Sequence, residues 1–359
     1  MATGTHALTM LVDRATTARF TRWFSKRIHA DVTIERASTP GTGGGWSNET
    51  LLLDLARLGR VVVRLQPKGP SMFRTYELGR EYAILETLSG LRQPKVPKPL
   101  AIDPHGEIAG RPLFVMSYVP GRVPSDDRPG FAEAGWLFEA SFEEQRTFHV
   151  SLLAAIADIH AVDWRPGLAV LVRAADAPLR AEIDWLRALH RWGAGNERHP
   201  LIERGLERLA HGLPIASPPC LLWGDARPAN VVETAFKPAA LLDWELASIG
   251  PAELDIAWFL EMNRMRTVGA GVAPLPGFLS DDETVACYQR LSGRRLTDLA
   301  WYRQYAALKM AVLMERHLRV AIARGALRPG HRLLGDNVAL RRVEALLGAE
   351  NPEGRYSAA

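Results

Sequence analysis

Residues 221–230 read LLWGDARPAN, and residues 239–245 read AALLDWE. In the first stretch Asp225 and Asn230 stand five positions apart, among the turn-forming pairs Gly-Asp and Arg-Pro. Two short apolar runs follow, VVET from 231 and AALLD from 239, separated by Ala235 to Pro238. Strand, turn, strand is the reading. Asp243 closes the second run, and a hairpin would fold it back beside Asn230. Each residue has a bland alternative: a turn acid for Asp225, a turn or cap amide for Asn230, a helix N-cap for Asp243. Singly these weigh as much as function. The joint pattern of D-x-x-x-x-N, hairpin and strand-end Asp tips the balance towards a shared chemical role.

That role is legible from the residue types. Phosphoryl transfer needs the attacking hydroxyl to be aimed and its proton accepted, and the Asp of the protein-kinase catalytic loop does this five positions before a metal-binding Asn. Asp225 and Asn230 repeat that spacing. Mg²⁺ takes hard oxygen ligands and keeps several waters, a demand that the Asp243 carboxylate, the Asn230 amide oxygen and nucleotide phosphates together meet. Glu245, two residues on, would point the same way in an extended segment and join the metal shell or hold a water. Where kinases carry Asp-Phe-Gly, this chain carries Asp-Trp-Glu.

Working outward, the upstream third supplies the matching parts. The run Gly43-Gly44-Gly45-Trp46-Ser47-Asn48-Glu49-Thr50 is a flexible turn whose backbone N–H groups can approach phosphates. Apolar, β-branched runs at 50–55 and 60–65 have strand length. Arg64 interrupts the second, and Glu81 lies early in a helix expected over 77–89 that stops at Gly90. Kinases pair a strand cation with a helix glutamate and set the cation on the nucleotide phosphates; the planar fork of Arg suits phosphate oxygens. A surface strand charge and a solvated helix acid are the plain alternatives. A further strand over 112–119 would lead out of this region, with Met116, Ser117 and Tyr118 as contacts for an adenine ring and Val119 next.

The bulk composition agrees with a globular enzyme. The chain has 359 residues, 47% apolar and 23% charged, ordinary proportions for a protein with a sizeable core. A net charge of +4 does not argue for a nucleic-acid partner. The basic segment from Arg316 to Arg332 reads as a solvated helix face and loop, with anionic phosphates as a second option. The two cysteines, Cys220 and Cys287, build no disulfide framework or zinc motif, so a reducing, cytoplasmic setting is expected. No apolar run is long enough to span a membrane, and residues 1–20 lack the layout of a signal peptide.

An amphipathic helix is expected over 9–29. Helices are expected over 143–161, 178–192, 252–265, 281–291, 297–323 and 333–347, with an irregular loop over 120–142. The result is an α+β layout in two parts: 1–119, with the 9–29 helix packed on it, as a nucleotide-binding part, and 120–359 as a helical part with catalytic loop and substrate site. A cleft between them would be the ligand site. A homodimer is compatible with the sequence.

These residues resemble the aminoglycoside phosphotransferase-like family of kinase-fold enzymes, in a branch similar to the kinase-like domains found with some acyl-CoA dehydrogenases. The matches are GWSNET, VVVRL, REYAILETL, FVMSYVPGR, LLWGDARPAN and ALLDWELASIGPAELDIAWF, over roughly residues 35–320. The resemblance implies a bilobal protein-kinase-like fold with an antiparallel-sheet N-lobe and a mainly helical C-lobe. It implies ATP or GTP as donor, Asp225 as base, and Asn230 and Asp243 as Mg²⁺ ligands. It also implies phosphate contacts from Ser47, Asn48 and Arg64, Glu81 as the partner of Arg64, and Asp255 holding the catalytic loop. Trp223 replaces the family's usual His before Gly-Asp and would brace the loop by packing. The resemblance also implies a small-molecule hydroxyl as the acceptor. Glu182, Asp184, Glu261 and Glu315 would suit a polycationic drug if they clustered. Trp185, Trp192, Trp258 and Trp301 would suit a lipid-like or hydroxyacyl compound, or simply fill the helix core. A nucleotide-binding pseudokinase is the alternative from another class, and a resistance kinase the narrower form of the first.

Overall fold

The computed structural model describes residues 13–40 and 48–348. In chain order the principal elements are α1 (Arg14–Ile28), β1 (Ile34–Ser38), β2 (Glu49–Leu55), β3 (Gly59–Leu65), α2 (Leu78–Ser89), β4 (Pro99–Asp103) and β5 (Leu113–Ser117). There follow α3 (Phe142–His160), α4 (Pro178–Ala194), α5 (Pro200–His211), β6 (Cys220–Leu222), β7 (Val231–Thr234) and β8 (Lys237–Leu241). The chain closes with β9 (Ser248–Gly250), α6 (Glu253–Arg266), α7 (Asp281–Ser292), α8 (Leu299–Ala323) and α9 (Val338–Gly348). They form two compact units. The first runs to Ala140 and includes Pro228–Glu245; the second comprises Ser141–Arg227 and the chain from Leu246.

The first unit is built on an antiparallel five-stranded sheet in the order β1-β2-β3-β5-β4. Side chains alternate across a strand. Leu51, Leu53, Leu55, Val61, Val63, Leu65, Leu113 and Val115 therefore share one face and form a core with Phe20 and Phe24 of α1. Burying each ring stabilises the unit by roughly 1.5–3 kcal/mol. Asp13 caps α1 by accepting from Ala15 and Thr16 N–H. Arg64 has the opposite parity and is paired with Phe114 in register. The second hairpin, β7–β8, turns through Ala235 and Phe236, both left-handed at φ 53° and 59°. That is the primed turn whose twist matches a hairpin.

The second unit is mainly helical, with one short antiparallel pair, β6–β9. The 25-residue α8 packs against α4, α5, α6 and α9. Helices α3 and α7 begin with capping boxes, Ser141 with Glu144 and Ser280 with Glu283, in which side chain and backbone satisfy each other's orphan groups. Gly205 lets α5 approach α8: a Cβ there would stand 2.6 Å from a methyl of Leu308.

Several elements differ from expectation. Residues 9–12 of the expected first helix lie outside those described, and its described part is Arg14–Ile28. The last helix begins at Val338, after a separate short turn over Arg332–Leu334. Strands β1, β4, β6 and β9 and helix α5 were not anticipated.

Candidate functional site

The chemistry-bearing residues fall into two constellations, one in each unit. In the second unit, Asp225 follows β6 directly. Gly224 precedes it at φ +83°, and a Cβ on that glycine would lie 2.1 Å from the Leu246 carbonyl oxygen, so only glycine fits this turn. Asp255, in the first turn of α6, accepts from the backbone N–H of Trp223 at 2.7 Å and of Gly224 at 2.9 Å. It is therefore the loop anchor that the resemblance implies. His160 Nε2 lies 3.2 Å from Asp255 Oδ2, and its Nδ1 lies 2.6 Å from the Tyr288 hydroxyl. The Trp223 side chain is fully buried. The Asp225 carboxylate accepts from the indole N–H of Trp258 on Oδ1 and from Arg227 Nε on Oδ2, both at 2.8 Å.

In the first unit, Arg64 Nη2 lies 2.9 Å from Asp243 Oδ1 and 3.4 Å from Glu81 Oε1. All three converge on the sheet face opposite the α1 core. Burial by itself would lower the Arg64 pKa. The carboxylates of Glu81, Asp243 and Glu245 outweigh it, and the guanidinium titrates above its ordinary range. Burial pushes the Glu81 carboxyl up to about 7, against the pull of Arg64 and with the help of the Asp243 charge.

The β7–β8 hairpin does fold the strand end back. Leu242 N–H donates to the Asn230 carbonyl at 2.8 Å, and Asn230 itself is buried. Asp243 is neither in a strand nor at a helix start. It follows β8 in a left-handed conformation, φ 62°. The segment after it is a turn, so the extended geometry expected for Glu245 does not hold. Glu245 Oε2 instead accepts from Asn48 Nδ2 at 3.1 Å.

The remaining expected residues also lie in the first unit. Ser47 lies outside the described residues. Met116 and Ser117 are in β5. The Ser117 backbone N–H donates to the Lys98 carbonyl, and its hydroxyl accepts from Lys98 N–H, so both are committed to that strand edge. Tyr118 lies under the Arg60 guanidinium, 5.3 Å from its ring centroid.

Sequence reading did not assign Trp258, Arg227, His160 or Lys309 to the neighbourhood of Asp225. The available signal was the i,i+3 spacing of Asp255 and Trp258, which puts both on one helix face. A second was a lysine inside the apolar run AALKMAVL.

A profile of the phosphotransferase enzyme family matches residues 40–294. The chain belongs to that family. Acyl-CoA dehydrogenase family member 11 of Rattus norvegicus is 28% identical to this chain over 221 residues, 59% of the chain and 26% of the relative. The chain thus spans about a quarter of that curated relative. Among solved structures, a Ralstonia eutropha protein assigned as an aminoglycoside phosphotransferase superposes with a TM-score of 0.67 at 20% identity, covering 92% of this chain and 95% of the other. A thermostable mutant of an aminoglycoside phosphotransferase, solved with AMP-PNP and hygromycin B, gives 0.57 at 12% identity, covering 93% and 99%. At these identities the superpositions show the shared fold.

Proposed function

We propose that the phosphotransferase moves the γ-phosphoryl group of ATP or GTP to the hydroxyl of a small molecule. The observation that carries the reading is the triad Arg64–Glu81–Asp243, in which Arg64 and Glu81 are buried. A strand cation held by a helix glutamate, with the acid that follows a hairpin beside it, is the arrangement kinases use to position nucleotide phosphates. In the reaction the acceptor oxygen bonds to the γ-phosphorus, the bond to the β–γ bridging oxygen breaks, and the hydroxyl proton passes to Asp225. ADP or GDP leaves. Arg64 would hold the phosphates, with Ser47 and Asn48 from the glycine-rich turn, and the Met116–Tyr118 segment would meet the base.

The donor set fits Mg²⁺. Asp243 and Asn230 offer a carboxylate and an amide oxygen, and Asp243 Oδ2 takes no hydrogen bond among the described residues. Bound there, Mg²⁺ would neutralise phosphate charge. Cys220 and Cys287 are both buried free thiols, which suits a reducing cytoplasm. No helix among the described residues is long and apolar enough to cross a membrane.

The acceptor we favour is not a polycation. Each acid that could have served one already has an internal cation. Glu182 is held by Arg173, Asp184 by Arg187, Glu261 by Arg303 and Arg342, and Glu315 by Arg319.

The test is Mg²⁺-dependent turnover of ATP and GTP over a hydroxyl library containing neutral, lipid-like and hydroxyacyl alcohols, macrolides and aminoglycosides. Turnover should be higher on uncharged alcohols than on aminoglycosides. Asp225→Asn should reduce it about 10²–10⁴-fold; undiminished turnover would sink the base assignment. A second reading, a nucleotide-binding pseudokinase, is favoured by Arg64 already occupying Asp243 Oδ1 and by Trp223 at the family's His position. Nucleotide binding without turnover on any acceptor would support it.

A further inference from the structure

We infer that Trp258 and Lys309 are positioning residues for Asp225; this rests on the reading of Asp225 as base. Asp255 and Trp258, three positions apart on α6, read the loop from one helix face. Asp255 fixes the backbone of residues 223 and 224, and the Trp258 indole N–H fixes Oδ1 of the next side chain at 2.8 Å. A hydrogen bond to the charged form favours that form, so this N–H both aims the carboxylate and keeps it ready to accept a proton.

Lys309 secures the arrangement. Its ammonium lies 4.5 Å from the centroid of the Trp258 ring and donates to the Gly224 carbonyl at 2.7 Å. One buried cation thus holds both the indole and the backbone unit that joins Gly224 to Asp225. Burial lowers the Lys309 pKa, while the charges of Glu182, Asp225 and Asp255 oppose that shift. Glu182 is itself tied to Arg173 and to the Tyr305 hydroxyl. The space lined by Lys309, Tyr305, Glu182 and Arg173 is about 10 Å³, room for roughly one water. The cation is therefore not presented to a ligand. A lysine is rarely buried unless paired, and here its hydrogen bond is spent on the loop that carries Asp225.

The experiment compares the full chain with Trp258→Phe, which keeps a ring and loses the N–H, and Lys309→Met, which keeps length and loses the charge. Both should melt cooperatively and bind nucleotide as the parent does. Acceptor-dependent kcat should fall by up to about a hundredfold, as expected when a catalytic group is misaimed, with nucleotide KM unchanged. In Trp258→Phe the acid limb of kcat/KM should move to higher pH, a response that loss of packing alone would not produce. Carboxyl NMR of ¹³C-labelled aspartate, with Asp225 assigned through Asp225→Asn, reads the same shift without turnover. An unmoved Asp225 midpoint in Trp258→Phe, or unchanged kcat in both variants, overturns the inference. Absence of turnover in the parent protein defeats the kinase reading instead, and the NMR midpoint then decides the positioning role by itself.

Discussion

At the scale of single residues, the loop before Asp225 is over-determined. Gly224 combines a left-handed backbone with a space already filled by the Leu246 carbonyl. Gly224→Ala adds backbone strain to a backbone clash, and we expect a loss of at least about 2 kcal/mol. Urea denaturation of the variant measures it, and an unchanged midpoint would contradict the geometry. Asp255 is similarly constrained. It satisfies two buried N–H groups, each of which would cost about 1–3 kcal/mol if left unpaired. The sequence flagged Asp225, Asn230 and Asp243 through their spacing, and Arg64 and Glu81 through their order along the chain, because spacing and order are one-dimensional properties. It could not flag Lys309, which reaches Gly224 across 85 positions. Nor could it tell which tryptophan is core and which is a donor. Trp258 is both: the ring is buried and its one polar atom is spent on Asp225.

At the scale of elements, the long periodic segments were legible, and helices α2, α3, α4, α6, α7 and α8 fall within about two residues of expectation. The missed elements share a cause. Strand β1, IERAS, is a half-exposed edge strand without an apolar run; β4 opens on Pro99, a residue tolerated at strand starts and edges. Strands β6 and β9 are three residues each, too short to show a period. Helix α5 did carry a signal, Ile202, Leu206 and Leu209 on one face, but Gly205 within it lowers helix propensity. Its presence is explained only by the Leu308 side chain across the interface.

The junction of α3 and α7 yields a pH prediction. His149 is buried, accepts from Leu279 N–H at 3.3 Å, lies 3.3 Å from the Thr284 hydroxyl, and meets the rings of Phe259 and Phe278 edge-on. Burial, then Arg146, push its pKa down to about 3, with Glu283 opposing. An unfolded histidine titrates near 6.5. The stability this neutral imidazole confers is therefore complete above about pH 6.5 and is lost as pH falls towards 3, by about 1.4 kcal/mol per pH unit. Thermal melting from pH 7 to pH 5 should show that slope, and His149→Gln should flatten it. An equal slope in both proteins would reject the assignment.

At the scale of the molecule, the modest net charge leaves little long-range field, and two arginines of the basic segment, Arg316 and Arg319, are used internally. Arg316 stacks 4.3 Å from the centroid of Trp192, and Arg319 pairs with Glu197 and Glu315. Neither is a free phosphate site. Nucleotide binding should instead be visible as linked stability. Saturation with Mg²⁺ and ATP or GTP at a hundred times Kd adds about 2.7 kcal/mol, read as a rise in Tm. Asp243→Asn should lose the Mg²⁺-dependent part of that rise and keep the part due to nucleotide alone. A rise equally large without Mg²⁺ in the parent protein would count against Asp243 as a ligand.

What the amino-acid order determined by itself was the α+β class, the order of the main elements and a set of residue types, Asp225, Asn230 and Asp243 among them, whose chemistry suits phosphoryl transfer. Those depend on local periodicity, turn chemistry and spacing along the chain. Tertiary structure alone decided how the acids are spent. Glu261 reads as a free acid in the sequence and is paired with Arg303 and Arg342, 42 and 81 positions away; Glu182 hydrogen-bonds the Tyr305 hydroxyl, 123 positions away. Asp243 leaves its strand for a left-handed turn beside Arg64, and Asp225 receives Trp258 with Lys309 behind it. The physical reason is the same in each case. Burying a charge is unfavourable unless a partner is brought to it, and which partner arrives is settled by packing between elements that sequence order does not place together.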